Sequence, residues 1–320
     1  MKKRLGLVLI IVLGVLVVFS VGMSVFIGFQ VFAGSTQLVT SEKTKAVPAG
    51  FWEKYGFDYE GFRRQYQVEE IAIPSSFDGH MIPADYIYAV EAGNSKNRPT
   101  VILVHGLGGN RYTNYPIAQY FLEKGYNVVT YDQRSTNQNT ARYTTFGYWE
   151  KYDLIDWVKY VEEQAPGEKI GVWGQSFGGA TAGLAVGYGD MDERIAFVIL
   201  ECPVSSMAWM IDDELKGMNL GIPVSYMSWC GNLVNRLKLG FSYQDAEVAA
   251  AMQGVRTPGL VINSKADDLT PYFMGKDIYD AVADDKREIW TVEESKHCEM
   301  WLDHNQEYRR RLDDFLEKYQ

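Results

Sequence analysis

A hydroxyl becomes a nucleophile when it is held exposed in a tight turn beside a base. The stretch Gly174-Gln175-Ser176-Phe177-Gly178 has the residue types for such a turn. An apolar run, Ile170–Trp173, leads in, and the small residues Gly179, Ala180, Thr181, Ala182 and Gly183 lead out. The pattern predicts a strand, a sharp turn and a helix, with Ser176 at the apex. The flanking glycines leave room for the turn and for a close strand–helix approach.

Such a serine needs a base, and the base needs an orienting carboxylate. The chain offers four histidines. His80 falls in the turn Ser75–His80, where Asp78-Gly79 is a hairpin signal, and reads as a surface residue. His105 ends an apolar strand and reads as a loop brace. His304 lies in the final helical pattern and reads as exposed. His297 follows the last strand, after Glu293-Glu294-Ser295-Lys296, and is the expected base. Two acids, Asp267 and Asp268, share the loop Ser264–Pro271, and their position alone leaves both open. Asp132 reads as an acid that holds its loop.

Serine chemistry on a carbonyl also needs donors for the developing alkoxide. His105-Gly106-Leu107-Gly108-Gly109-Asn110 follows the uncharged strand Thr100–Val104. No Gly-Lys-Ser/Thr follows, so a phosphate-binding reading is weak. As half of an oxyanion hole, the loop would aim the Leu107 N–H, with the Phe177 N–H as the second donor. Losing one such donor typically costs ~3–4 kcal/mol in the transition state. This chemistry requires no metal and no organic cofactor.

The elements that must position these groups alternate. Strands are expected at Val68–Pro74, Ala84–Val90, Thr100–Val104, Tyr126–Tyr131, Ile170–Trp173, Glu193–Leu200, Pro258–Asn263 and Glu288–Val292. Helices are expected at Thr113–Lys124, Trp149–Gln164, Tyr272–Val282 and Trp301–Tyr319, with a short helical segment in Phe51–Tyr66. Loops after parallel strands share one sheet edge, which gathers Ser176, the acidic loop and His297. The alternation breaks at 203–256, a stretch rich in Met and Trp that reads as a small helical cap.

At the N-terminus, basic Lys2, Lys3 and Arg4 precede residues 5–33, which hold no charge. As a helix these residues span ~43 Å, enough for a bilayer core of ~30 Å. A secretory signal cleaved after Ala33 is the competing reading, although signal cores are shorter, ~7–15 residues. The expected arrangement is therefore 1–4 cytoplasmic, 5–33 a membrane anchor, 34–50 a linker and 51–320 an extracytoplasmic catalytic domain. The formal net charge is −10 over 320 residues, and −13 once those three cations are set aside. That disfavours nucleic acid as a partner. Three scattered cysteines make neither a disulfide framework nor a zinc site, which leaves room for one chance pair.

From about Phe57 to Tyr319 the chain resembles the α/β-hydrolase superfamily. The resemblance rests on the Asp78-Gly79 turn, the H-G-L-G-G-N loop, Gly125-Tyr126-Asn127-Val128, Asp132-Gln133-Arg134, the G-Q-S-F-G-G turn, the A-D-D-L-T-P loop and the final histidine. It is similar to bacterial membrane-anchored hydrolases of the serine aminopeptidase-like, or dipeptidyl aminopeptidase/acylaminoacyl-peptidase-related, group. The resemblance implies a mostly parallel eight-stranded sheet with helices on both faces and a cap. It also implies a triad of Ser176, Asp267 and His297, with the acid four residues before the loop proline. Two positions depart from the group: Ser135–Asn139 replaces a Gly-His-Gly-x-Ser stretch, and Phe177 replaces a common Met. The expected activity is hydrolysis of a small acyl ester or thioester. Peptidase or acyltransferase chemistry on the same triad, and a non-catalytic surface binding protein, are the alternatives.

Overall fold

The computed structural model describes residues 2–89 and 95–319. The end of the second expected strand, Val90, and the polar residues 91–94 lie outside this range. Eight strands form one sheet: β1 Val68–Pro74, β2 Met81–Ile87, β3 Thr100–Val104, β4 Asn127–Tyr131, β5 Ile170–Gln175, β6 Phe197–Glu201, β7 Gly259–Ser264 and β8 Arg287–Val292. Their order is β1-β2-β4-β3-β5-β6-β7-β8. β1 and β2 pair antiparallel, β2 pairs antiparallel with β4, and the remaining pairs are parallel.

Ten helices matter to the argument: α1 Lys2–Thr36, α2 Val47–Tyr55, α3 Tyr59–Gln65, α4 Tyr115–Glu123, α5 Glu150–Gln164, α6 Phe177–Val186, α7 Met207–Gly217, α8 Val224–Leu239, α9 Tyr272–Ala281 and α10 Asn305–Tyr319. Strands β3, β4, β6 and β7 are buried along their whole length, as apolar runs such as Thr100–Val104 require, and β5 is buried up to Gln175. Side chains alternate between the two faces of a strand. Val101, Leu103, Trp173, Ile199 and Ile262 join one core with Tyr120 and Phe121 of α4 and Tyr308, Leu312 and Phe315 of α10. The intervening Ile102, Val172 and Val198 are also buried, so the opposite face is covered too. There Val261 lies 3.0 Å from the place a Cβ of Gly275, in α9, would take.

The chain forms two compact units. One comprises residues 39–206 and 246–320 and holds the whole sheet; the other comprises 1–38 and 207–245 and is helical. Three expectations change here. The stretch 34–50 is not a free linker: α1 runs on to Thr36, a short helix covers Ser41–Thr44, and α2 begins at Val47. Thr44 is buried because its Oγ1 accepts from the Asn137 N–H at 2.7 Å and its carbonyl accepts from Asn110 Nδ2 at 2.8 Å. The helical insertion is shorter than 203–256: residues 246–256 belong with the sheet, where Val248 and Met252 are buried. The strand expected from Glu193 begins at Phe197, because Met191–Arg194 closes into a helical turn.

Candidate active site

β5 ends at Gln175, and α6 starts at Phe177, so Ser176 alone makes the turn. Its backbone stands at φ 56 and ψ −117, a conformation that costs a non-glycine residue ~1–3 kcal/mol. Surrounding contacts hold it there. The Ser176 N–H donates to the Glu201 carbonyl at 2.8 Å, and the Ser176 carbonyl accepts from Gly179 and Ala180. The flanking glycines permit the turn. A Cβ on Gly174 would sit 2.4 Å from the Gly178 carbonyl oxygen, and one on Gly178 would sit 2.1 Å from the Val104 oxygen.

The turn presents Oγ to His297. Ser176 Oγ lies 2.8 Å from His297 Nε2, and His297 Nδ1 lies 2.8 Å from Asp267 Oδ2. A carboxylate only accepts, so Nδ1 carries the proton and Nε2 is free to accept from the serine hydroxyl. Asp267 is buried and Asp268 is exposed, which separates the two acids that position left open. Asp267 Oδ1 accepts from the Leu269 and Thr270 N–H groups at 3.0 and 2.8 Å, and Oδ2 also accepts from Thr270 Oγ1 at 2.8 Å. Thr270 was not among the expected site residues. Its only signal in the sequence is its place three residues after the acid, where a hydroxyl can close the turn.

Burial works against the Asp267 carboxylate, but bonds from His297 and Thr270 outweigh it and hold its pKa below the usual range. Burial likewise opposes a charged His297, while Cys202 and Asp267 favour it, and the net is a rise. Burial pushes the Cys202 thiol well above its ordinary range, so it is neutral at neutral pH and Asp267 is the charge that acts.

The glycine-rich loop after β3 closes the other side. A Cβ on Gly106 would lie 3.4 Å from Ser176 Cβ, so the loop backbone rests against the turn. Among the described residues, the N–H groups of Leu107 and Phe177 donate to no protein acceptor. The Phe177 ring packs on Phe146 at 5.4 Å. His105 is a brace: burial lowers its pKa to about 4, Nδ1 donates to the Gly106 carbonyl and Nε2 accepts from the Gln133 N–H at 3.0 Å. Gln133 carries the brace onward. Its Nε2 donates to the His105 carbonyl at 2.6 Å, and its Oε1 accepts from Thr181 in α6 at 2.7 Å. The motif Asp132-Gln133-Arg134 contains this residue, but no spacing rule singles it out.

The other histidines lie outside the triad. His304 packs edge-on against Trp290. His80 is not a surface residue: its ring is half-buried between Asp78 and Asp153, at 2.5 and 3.4 Å, because Arg134 gathers both acids. Asp132 holds its loop, accepting from the Arg111 backbone and guanidinium. Cys202 and Cys298 are free thiols with sulfurs 3.3 Å apart, and with His297 they group three soft ligands. A metal there would take a His297 nitrogen that Asp267 or Ser176 already uses.

A family profile described as alpha/beta hydrolase fold matches residues 99–223. The Bacillus subtilis (strain 168) protein YqkD is 25% identical over 264 residues, covering 81% of this chain and 82% of that protein. A lysophosphatidylserine lipase, ABHD12 of Danio rerio, is 21% identical over 65% of this chain and 55% of that one. Among solved structures, the Pyrococcus furiosus esterase Pf2001 superposes with a TM-score of 0.62, at 20% identity, over 82% of this chain and 96% of that one. The chain therefore has the α/β-hydrolase fold, and its similarity to esterases and lipases supports a hydrolase.

Proposed function

We propose that this chain is a membrane-anchored serine hydrolase that cleaves acyl esters or thioesters. The observation that carries the reading is the unbroken relay Ser176–His297–Asp267, with both links at 2.8 Å and the serine held in a strained turn. Ser176 Oγ attacks the acyl carbonyl while His297 Nε2 takes its proton. The Leu107 and Phe177 N–H groups receive the oxyanion. His297 then protonates the leaving group, and water activated by the same imidazole releases the acyl chain. Asp267 fixes the ring throughout. The likeness to an esterase structure and to a lipase sequence favours esters.

A peptidase on the same triad would want an acidic cluster for a substrate amine. Glu201 is buried and bonded to Tyr308 Oη at 2.7 Å, whereas Asp212, Asp213 and Glu214 face solvent on α7. The ester reading therefore leads. The anchor reading rests on α1, which is long and apolar enough to cross a membrane, with Arg4 at its start. By the charge rule that end stays cytoplasmic and the sheet unit lies outside. Retention of the helix is supported by its own unit: cleavage after Ala33 would strip buried Ile27, Val31 and Phe32 from it.

The test is Ser176→Ala in the full chain, assayed on short p-nitrophenyl esters and labelled with a fluorophosphonate. We expect no labelling and a fall in kcat of ~10⁶, the scale seen when a triad serine is lost. Unchanged hydrolysis and labelling would remove the assignment. N-terminal sequencing of the mature protein checks the anchor, which fails if the chain starts near Gly34.

A further inference from the structure

Helix α8 is apolar on two faces. Met227, Cys230 and Val234 point inward and are buried, as a soluble helix requires. Tyr226, Trp229, Leu233 and Leu237 recur at spacings of three, four and four, so they form a second stripe, and all four are exposed. Leu237 is 78% exposed and Trp229 59%, values that water would penalise. The loop before α8 adds exposed Met218, Leu220 and Ile222. No acidic residue lies in α8; its only charges are Arg236 and Lys238.

The partner of this stripe is indicated by the helix beside it. α1 and α8 approach through small residues. A Cβ on Gly28 would lie 2.8 Å from the Cys230 oxygen, and one on Gly231 would lie 2.4 Å from Val31 Cγ1. Such close backbone packing is how helices associate in membranes. Ser24 Oγ and Tyr226 Oη are 2.6 Å apart, and Lys238 Nζ stands 5.6 Å from the Phe29 ring centroid. Counting ~20 residues from Leu5 places Ser24 at the far edge of a ~30 Å apolar core. Tyr226 and Trp229 are therefore level with a bilayer boundary, where Tyr and Trp concentrate, and Lys238 is level with headgroups. Between the helices runs a groove of about 400 Å³ lined by Val21, Val25, Phe29, Trp229, Leu233 and Leu237, with Lys238. Its exposed apolar wall continues into the exposed face of α1.

We infer that the outer stripe of α8 docks into the boundary of the bilayer that α1 spans, with Trp229 at that boundary, Leu233 and Leu237 reaching the acyl chains that fill the groove, and Lys238 at the headgroups. This rests on the reading of α1 as an anchor. The occupant is lipid rather than a second protein copy because the stripe is continuous with a helix face already sized for hydrocarbon.

The full chain is reconstituted in phosphatidylcholine vesicles with or without bromine on the acyl chains. The emission of Trp229 is isolated as the difference between wild type and Trp229→Phe, and retention is read after an alkaline carbonate wash. We expect the chain to be retained and the Trp229 emission to be quenched by brominated lipid. The exposed pair Leu233→Ser with Leu237→Ser should be retained but lose most of that quenching. A retained chain with no Trp229 quenching overturns the docking and leaves the anchor; a second copy covering the stripe gives this result. Quenching unchanged in the double variant also overturns it. A chain that is unquenched and washes off overturns both readings. One that is quenched before washing off overturns the anchor, and with it docking beside a spanning helix.

Discussion

Two of the buried acid–cation groups among the described residues of the sheet unit differ in what they leave free. In one, Asp267 meets His297. In the other, Asp85 and Asp132 meet Arg111, at 3.1 and 2.6 Å. The two acids of the second group are held by other protein donors as well: Tyr115 donates to Asp85, and Asn137 and the Gln138 N–H donate to Asp132. The first group has an outlet, the second nitrogen of His297, which reaches Ser176. The electrostatics follow. His297 and Thr270 win over burial and lower the pKa of Asp267. For Asp85 and Asp132 burial wins over Arg111, and both are raised. A buried ion pair is therefore not by itself a reactive centre. On the proposed mechanism, what would make one reactive is a titratable member with a free atom facing a strained nucleophile.

The largest effect that separates the two groups is on chemistry. Asp267→Asn should reduce kcat ~10⁴-fold, as loss of the orienting acid does in such triads. Asp268→Asn, at an exposed side chain, should leave it unchanged. The pH profile gives the sign. Catalysis needs neutral His297, so activity rises as pH passes through its pKa. Asp267 raises that pKa, so the wild-type acid limb lies at higher pH than it would without the carboxylate. In Asp267→Asn burial acts unopposed by the carboxylate, and the limb moves to lower pH. A limb that stays in place, measured as kcat/KM against pH, would remove Asp267 from its role.

Next in size is an effect on stability. Arg111→Ala strands two carboxylates that are almost fully buried, and such a break costs ~3–5 kcal/mol. Residual fluorophosphonate labelling of the folded fraction should persist, since Arg111 touches none of the triad. Arg111 pulls the pKa values of Asp85 and Asp132 down against burial, so without it both rise further and acidification neutralises the stranded acids. The loss should therefore shrink on acidification, being smaller near ~pH 5 than at ~pH 8. Denaturant midpoints at the two pH values measure it. An equal loss at both would mean the stranded acids are hydrated rather than buried.

Most of the fold was legible because its signals are local. Uncharged runs such as Thr100–Val104 and Phe197–Leu200 can only be strands buried on both faces, and the small residues after Ser176 can only pack tightly. The grouping of Ser176, Asp267 and His297 on which the proposal rests could be read ahead because few histidines follow a strand end. What stayed hidden depends on long-range partners. His80 looked like a turn residue because nothing nearby announces that Arg134 draws Asp78 and Asp153 around it. Gln133 and Thr270 act through bonds to distant chain segments, which spacing does not encode. The outward stripe on α8 lies within the stretch that reads as a cap, since a Trp or Leu has the same letter whether it is buried or exposed.

The smallest expected effect concerns residues 34–50, which composition marked as a tether. Here the second acid group extends its reach. Asn137 donates to Asp132 through its side chain and to Thr44 Oγ1 through its backbone N–H, so the buried network holds the incoming chain as well as its own loop. Thr44→Val keeps the shape and removes that acceptor. A buried N–H left unpaired costs ~1–3 kcal/mol, less than losing Arg111 because no charge is stranded. Thr44→Ser restores an acceptor and should recover most of the loss. Ester hydrolysis should barely change in either variant, since the triad and its loops are untouched. If the denaturant midpoint of Thr44→Val equals that of wild type, the segment is a tether after all, and Asn137 serves Asp132 alone.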